Sequence, residues 1–335
     1  MSDPIIRTKQ KGVAIIMAML IVALATSVAA YAAWQQNLWI RQSESLTTQA
    51  QALAVSRAAI YLGSLALNTD LQTSDPPNVD SLKEKWATEP LSTPVEGGSV
   101  GGKIVDQQGL FNVNNLAATN LQERAVQLQW FNALLAALSL PAELADAVQD
   151  FVDEDSQGPK EDLTYLGKSE PYRTANQPIY GIDELYRVEG FTNEVMETLR
   201  PFITAIPVRT ATAPGASGPT VPITAININT ARVEILRAVF GSQAGGQIDT
   251  LRNTTAFTDF GNFQSRTASF LPVPTPPNPA TYPWLANNVD VKSDYFLVSV
   301  LSQFGNTKNG FAALVHRLNP ANGWPTIVWQ KQILD

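Results

Sequence analysis

Hydrophobic and polar positions divide the chain into stretches of different period. From Val13 to Ala33 the sequence reads VAIIMAMLIVALATSVAAYAA, 21 residues interrupted only by Thr26, Ser27 and Tyr31. No charged residue occurs between Lys11 and Arg41. About 20 apolar residues at 1.5 Å rise each span the hydrocarbon core of a bilayer. The helical pattern then continues, since no Gly follows Gly12 before Gly63 and no Pro follows Pro4 before Pro76. Leu46, Ala50, Leu53, Arg57, Tyr61 and Leu65 recur at steps of three or four, a narrow stripe on one helix face. The pattern predicts one helix from near residue 13 to near residue 68, roughly 80 Å long. Its first half is apolar all round and its second half amphipathic.

Beyond that helix, residues 74–102 are rich in Pro, Gly, Ser and acid and read as a surface connection. Lys103 to Asp106 and Leu110 to Val113 flank Gln107-Gln108-Gly109 and predict a short hairpin. Asn112, Asn114 and Asn115 are expected to end that strand through side-chain to backbone hydrogen bonds. A helical period returns from Thr119 to Pro141 and again in PAELADAVQDFVDED, with Pro141 suited to a helix start. Further helical pieces are expected at Ile182 to Val188, Thr192 to Pro201, Thr230 to Phe240 and Gly246 to Asn253. Val208 to Pro222 reads as a flexible loop, and Leu271 to Pro283, with six prolines, as another. Asp294 to Phe304, Phe311 to Leu318 and Thr326 to Ile333 then alternate as an antiparallel meander around GNTKNG.

Composition removes whole reaction classes. The 335 residues include no cysteine and one histidine, so disulfides, thiolate nucleophiles and Cys/His zinc sites are excluded. A hydrolytic triad would need His316 as its base. No GxSxG, Walker A or HExxH pattern accompanies it, and His316 inside a strand reads as a structural residue. The net charge of −7 opposes phosphate backbones as the main partner. Arg7, Lys9 and Lys11 precede the apolar run against Asp3 alone, which keeps the short leader cytoplasmic and exports the rest. A cleaved signal peptide, with a small-residue site at Ala30-Tyr31-Ala32, and an uncleaved anchor both fit this beginning.

One constellation carries chemistry. Asp150, Asp153, Glu154, Asp155, Glu161 and Asp162 crowd a helix end and the loop after it, around Gln157-Gly158-Pro159. Asp153, Asp155, Gln157 and Gly158 imitate the first half of an EF-hand loop, but its twelfth position is Thr164 rather than Glu. On the residues alone, a solvated acidic loop and an oxygen-rich calcium site both stand.

Several motifs together point to a family. Lys11-Gly12-Val13, a basic leader ending in Gly before an apolar helix, is similar to the prepilin peptidase site of type IV pilins and type II secretion pseudopilins. The fifth residue counted from Val13 is Met17, where most of those proteins carry Glu. Other matching residues are Trp86, GGKIVDQQGLFNVNNL (Gly101 to Leu116), DFVDEDSQ (Asp150 to Gln157), YRTANQPI (Tyr172 to Ile179), DELYRVEGF (Asp183 to Phe191) and ININTA (Ile226 to Ala231). Together they resemble the general secretion pathway protein K family, the large minor pseudopilins, over nearly the whole chain.

The resemblance implies an α+β, pilin-like fold with a long N-terminal helix and an antiparallel sheet, carrying a large inserted α-helical domain of SAM-like or helix-hairpin-helix-like character. The divisions it implies are a leader at 1–12, the transmembrane half of the helix at 13–34 and its periplasmic half at 35–70. The first part of the pseudopilin domain follows at 71–116, the helical insert at 117–270 and the C-terminal strands at 271–335. Cleavage is expected between Gly12 and Val13, with N-methylation of Val13. Calcium is expected in the acidic loop, with Asp150, Asp153, Asp155, Gln157, Glu161 and Asp162 as its ligand set.

The implied function is structural rather than enzymatic: a subunit at the tip of the type II secretion pseudopilus that initiates assembly and supports export of folded proteins. The implied partners are the minor pseudopilins GspI and GspJ, then GspH and the major pseudopilin GspG, prepilin peptidase, secreted substrates and the outer-membrane secretin. The implied location is the inner membrane, single-pass, with the body in the periplasm. Met17 suits a subunit that enters first, because an unpaired carboxylate in the bilayer is costly. A minor pilin of a type IV pilus is the alternative. A periplasmic anchored module that binds DNA through repeats such as GFTNEVMETLRPFI and ININTARVEILRAVF is a further one. The acidic balance opposes the DNA reading, so no nucleic acid is expected.

Overall fold

A computed structural model describes residues 11–74, 76, 78–89, 91–210, 220–272, 282, 288–318 and 323–333. Residues 1–10 of the expected leader and most of the two expected loops, 211–219 and much of 273–287, lie outside the described residues.

Helix α1 runs from Lys11 to Thr73, 63 residues, or about 95 Å at 1.5 Å per residue. Every side chain from 12 to 47 is exposed. From Ala52 onward one face is buried, formed by Ala52, Ser56, Ala59, Ile60, Ser64 and Leu67. Of the expected stripe, Leu53 packs partly against the sheet core, while Leu46, Ala50, Arg57, Tyr61 and Leu65 are exposed. Small residues give the reason. Ala52, Ser56, Ala59 and Ser64 let the helix axis approach the sheet closely, so the buried line is marked by small size more than by hydrophobicity. The helix ends just before Pro76 and Pro77, which cannot continue its hydrogen-bond ladder.

Under α1 lies a five-stranded antiparallel sheet. Its strands are β1 (Leu91–Val95), β2 (Gly98–Asp106), β7 (Tyr295–Phe304), β8 (Thr307–His316) and β9 (Thr326–Ile333), in the order β1-β2-β7-β8-β9. Val100, Ile104, Phe296, Val298, Val300, Phe311, Ala313 and Val315 alternate onto the face that meets Ile60 and Leu67. Trp86, from the short helix α2 (Lys85–Thr88), closes this core with its ring edge-on to Phe296. The meander of β7, β8 and β9 matches its expectation. The region 74–102 does not, because it holds α2, β1 and the start of β2. Nor does the expected hairpin at 103–113 form, because β2 pairs with β1 and β7 instead.

The chain between β2 and β7 builds a second, helical core. Its helices are α3 (Leu121–Ala137), α4 (Glu143–Val152), α5 (Asp162–Leu166), α6 (Asn193–Leu199), α7 (Val233–Phe240), α8 (Ser242–Thr254) and α9 (Phe260–Thr267). Helices α5 and α9 were not expected, and the expected piece at 182–188 is a 3-10 helix, Ile182–Arg187. Two short parallel pairs brace the helices: β3 (Phe111–Asn112) with β4 (Ile203–Thr204), and β5 (Ile226–Asn227) with β6 (Val289–Asp290). The buried cluster draws on residues from Phe111 to Val291 and on Val79. Helices α7 and α8 form a tight hairpin in which a Cβ on Gly245 would lie 2.5 Å from the Arg237 backbone nitrogen.

The asparagines of FNVNN act as amide splints. Asn112 Oδ1 accepts from Asn114 N at 3.2 Å and from Ile206 N at 2.9 Å. Asn114 pairs with both backbone groups of Ile179, and Asn115 receives Thr224 N at 2.9 Å. In ININ, Asn229 clamps the N–H and C=O of Phe257 in the same way. Each satisfies buried backbone groups where irregular chain crosses the core.

Candidate functional site

Two regions remain after packing is accounted for. One is the exposed side of α1. Its apolar beginning is long enough to cross a membrane and is 0% buried, the one such helix among the described residues. Tyr31, Trp34 and Trp39 are exposed at the end of the apolar run, where aromatic residues favour a membrane–water boundary. Gly12 and Val13 lie within α1, and Val13 is 59% exposed.

The other region is the acidic loop between α4 and α5. Phe151 and Val152 anchor the end of α4 in the core, so the chain leaves at Asp153, which turns extended and becomes buried. Gly158 brings the returning chain against Asp150, whose carboxylate occupies the space a Cβ would need. Asp150 Oδ2 accepts the backbone N–H of Lys160 at 2.7 Å and so holds the loop closed. The chain then reaches Glu161, immediately before α5.

That closure gathers Asp153, Asp155 and Glu161, each with a carboxylate oxygen within 4.8 Å of the other two. Arg124 of α3 reaches them, with Nη1 at 3.0 Å from Asp153 Oδ2 and 3.5 Å from Asp155 Oδ2. Asp153 Oδ1 and both oxygens of Glu161 are buried without a hydrogen-bond partner. Burial, with Asp155 alongside and Arg124 opposing, pushes the Asp153 carboxyl up to about 7. Burial raises Asp150 and Glu161 as well.

Of the six candidate ligands, the fold brings three together and places Asp150 beside them as a loop clasp. Asp162 turns away: Thr174 donates to it from both N–H and hydroxyl, Arg173 approaches to 2.6 Å, and the Thr174 hydroxyl bond leads in holding its pKa low. Gln157 is exposed and donates its backbone N–H to Asp155 Oδ1 at 2.8 Å. Sequence reading missed Arg124, because nothing in its local pattern marks a residue whose partners lie 29 and 31 positions away. His316 stacks on Tyr295 at 4.4 Å and 5°, and burial lowers its pKa. It is a packed residue, as its strand position suggested.

The helical core also carries the comparison with known proteins. Residues 109–208 match the sequence profile of "Type II secretion system (T2SS), protein K". The type II secretion system protein K of Pseudomonas aeruginosa is 33% identical over 258 residues, covering 71% of each chain. The chain belongs to the type II secretion system protein K family. The protein K of Aeromonas hydrophila is 28% identical over 319 residues, 90% of this chain and 91% of its own. A chain of the GspK-GspI-GspJ complex from enterotoxigenic Escherichia coli superposes with a TM-score of 0.71 at 25% identity, over 88% of this chain and all of that one. As a protein K member, the chain is a minor pseudopilin and a structural part of the secretion machine. The α+β architecture with its long helix is the one the resemblance implied, and family membership answers the type IV pilin alternative.

Proposed function

We propose that the chain stands at the tip of the pseudopilus, anchored in the inner membrane by residues 13–34 with its body in the periplasm, and that it is not an enzyme. Cleavage between Gly12 and Val13 would free the helix to leave the bilayer as the pseudopilus grows, and Val13 would be N-methylated. The observation that carries this reading is the outer side of α1. Below the apolar run, Tyr61, Leu62 and Leu65 remain exposed while the opposite face is fixed to the sheet. Such a ridge suits other long helices laid alongside it, those of GspI and GspJ first, then GspH and GspG. The wide helical insert suits a position with no identical subunit stacked above it, facing secreted substrates and the secretin.

The natural absence of cysteine gives a direct test. Tyr61→Cys or Leu65→Cys in the full chain, coexpressed with GspI and GspJ, is expected to form adducts with one of them on short-arm crosslinking. Gln247→Cys on α8 is expected to form none. No adduct at either α1 position in a copurified complex would overturn the proposed packing. N-terminal sequencing tests the leader separately, with Val13 expected first only when prepilin peptidase is present.

We also infer that calcium belongs to the acidic loop. The oxygen-only donor set and the three partnerless buried oxygens of Asp153 and Glu161 fit a hard cation. Asp153, Asp155 and Glu161 would hold it, with Asp150 keeping the loop closed. Bound there, calcium supplies the positive charge that ties the end of α4 to the start of α5.

A further inference from the structure

A second convergence of carboxylates lies where the long helix ends. Asp70 belongs to the last turn of α1, Asp80 to the connection after it, and Glu84 stands just before α2. Each places an oxygen within 4.8 Å of the other two. Arg317, just past β8, is 2% exposed; its Nη2 meets Asp80 Oδ2 at 2.5 Å and its Nη1 lies 3.4 Å from Asp70 Oδ2. Lys83, beside them in sequence, points elsewhere, donating to Asn253 O at 2.6 Å and Thr254 O at 3.0 Å. Asp70 and Asp80 therefore share one guanidinium, and Glu84 stands beside them.

Asp80 supplies an independent observation. It is 1% exposed, and its Oδ2 already accepts from Arg317 and from Ser293 N at 2.7 Å. Its Oδ1 is buried with no donor. Arg317 meets the carboxylate only through Oδ2, and a buried ionised oxygen without a partner of its own costs free energy. Asp70 and Glu84 are only partly buried, which leaves a route from solvent.

We propose that Asp70, Asp80 and Glu84 form a divalent-cation site of the calcium class, separate from the acidic loop. All donors are carboxylate oxygens, which select hard cations. Their spread suits the longer bonds and flexible coordination of calcium better than the strict octahedron of magnesium. The ion joins the end of α1 to the connection and, through the contacts of Asp80 with Arg317 and Ser293, to the strands β7 and β8. Because α1 carries the membrane anchor, this site governs how rigidly the body is held on its stalk. Without an ion, burial pushes Glu84 up to about 7 and Asp70 up to about 6.

Trp86 makes the site readable, since its Nε1 donates to Glu84 Oε2 at 2.6 Å and its indole can sensitise a bound lanthanide. The experiment uses the full chain in detergent micelles with Asp155→Asn and Glu161→Gln in place, which silences the acidic loop. Terbium is titrated with tryptophan excitation, and calcium is then added as competitor. The expected result is sensitised emission that calcium displaces and that Trp86→Phe largely removes. Glu84→Gln is expected to weaken binding by at least about tenfold, as loss of a ligand does. Asp70→Asn gives a second variant, and circular dichroism confirms that each stays folded. Absence of displaceable emission, or emission indifferent to Trp86→Phe and Glu84→Gln, would overturn the proposal. Neither result bears on the acidic loop, which is tested without those changes.

Discussion

Ser56 on the long helix and Ser302 on β7 meet with 2.8 Å between their hydroxyl oxygens, 246 residues apart in sequence. Ser302 also donates to the carbonyl of Ala52 at 3.0 Å. Here the stalk joins the sheet by small, hydrogen-bonded residues. Ser56→Leu is expected to force the helix outward and to destabilise the body by about 1–3 kcal/mol, the usual result of overpacking. Denaturant melts of the full chain in micelles measure it, with Ala54→Leu on the exposed side as a near-neutral control.

Calcium should stabilise the wild type through the acidic loop. At a concentration near 100 times its dissociation constant the increment is about 2.7 kcal/mol by mass action. Asp155→Asn with Glu161→Gln should remove the part of the thermal shift that arises in this loop. Thermal melts with calcium and with chelator measure the difference, and an unchanged shift in the double variant would remove calcium from the loop.

Arg317 is the cation on which Asp80 depends. Arg317→Met leaves that buried carboxylate without its charge partner, and losses of about 3–5 kcal/mol accompany such changes. Asp80→Asn in the same chain should recover part of the loss, because the uncompensated charge goes with it. A double-mutant cycle from equilibrium unfolding measures the coupling.

Asp106 is fully buried, and burial pushes its carboxyl up to about 6 despite hydrogen bonds from Ser293 and Thr230. A carboxyl whose folded pKa lies above its unfolded value binds more protons in the folded state. Its contribution therefore favours the folded chain below about pH 4 and declines as pH rises toward 6. The unfolding free energy of the wild type minus that of Asp106→Asn, both in chelator, should fall across that window, and a difference that rises with pH there would contradict the burial of Asp106 in its ionisable form.

Gly158 is required by contact rather than by backbone angle. Gly158→Ala places a methyl group against the Asp150 carboxylate, so the clasp on Lys160 N must open. Calcium affinity at the acidic loop should drop while the fold survives, which isothermal titration of the variant measures.

The amino-acid sequence by itself determined the local, periodic features. An uncharged apolar run gives a membrane-length helix, alternation gives β7, β8 and β9, and the clustered acids mark the loop between α4 and α5. Each is a near-neighbour property, so each is legible without knowing what packs on it. The family motifs added the architecture, including the insert. Only the tertiary structure decided which side of α1 is buried, since small residues on that side carry little hydrophobic signal and close approach to a sheet selects them. Only it paired β2 with β7 instead of with the segment after Gly109. Likewise, it alone brought Arg124 to Asp153 and Arg317 to Asp70 and Asp80, the latter two 247 and 237 residues away. Charge pairing across such separations depends on where the backbone returns, and that is fixed by packing of the whole chain rather than by any local pattern.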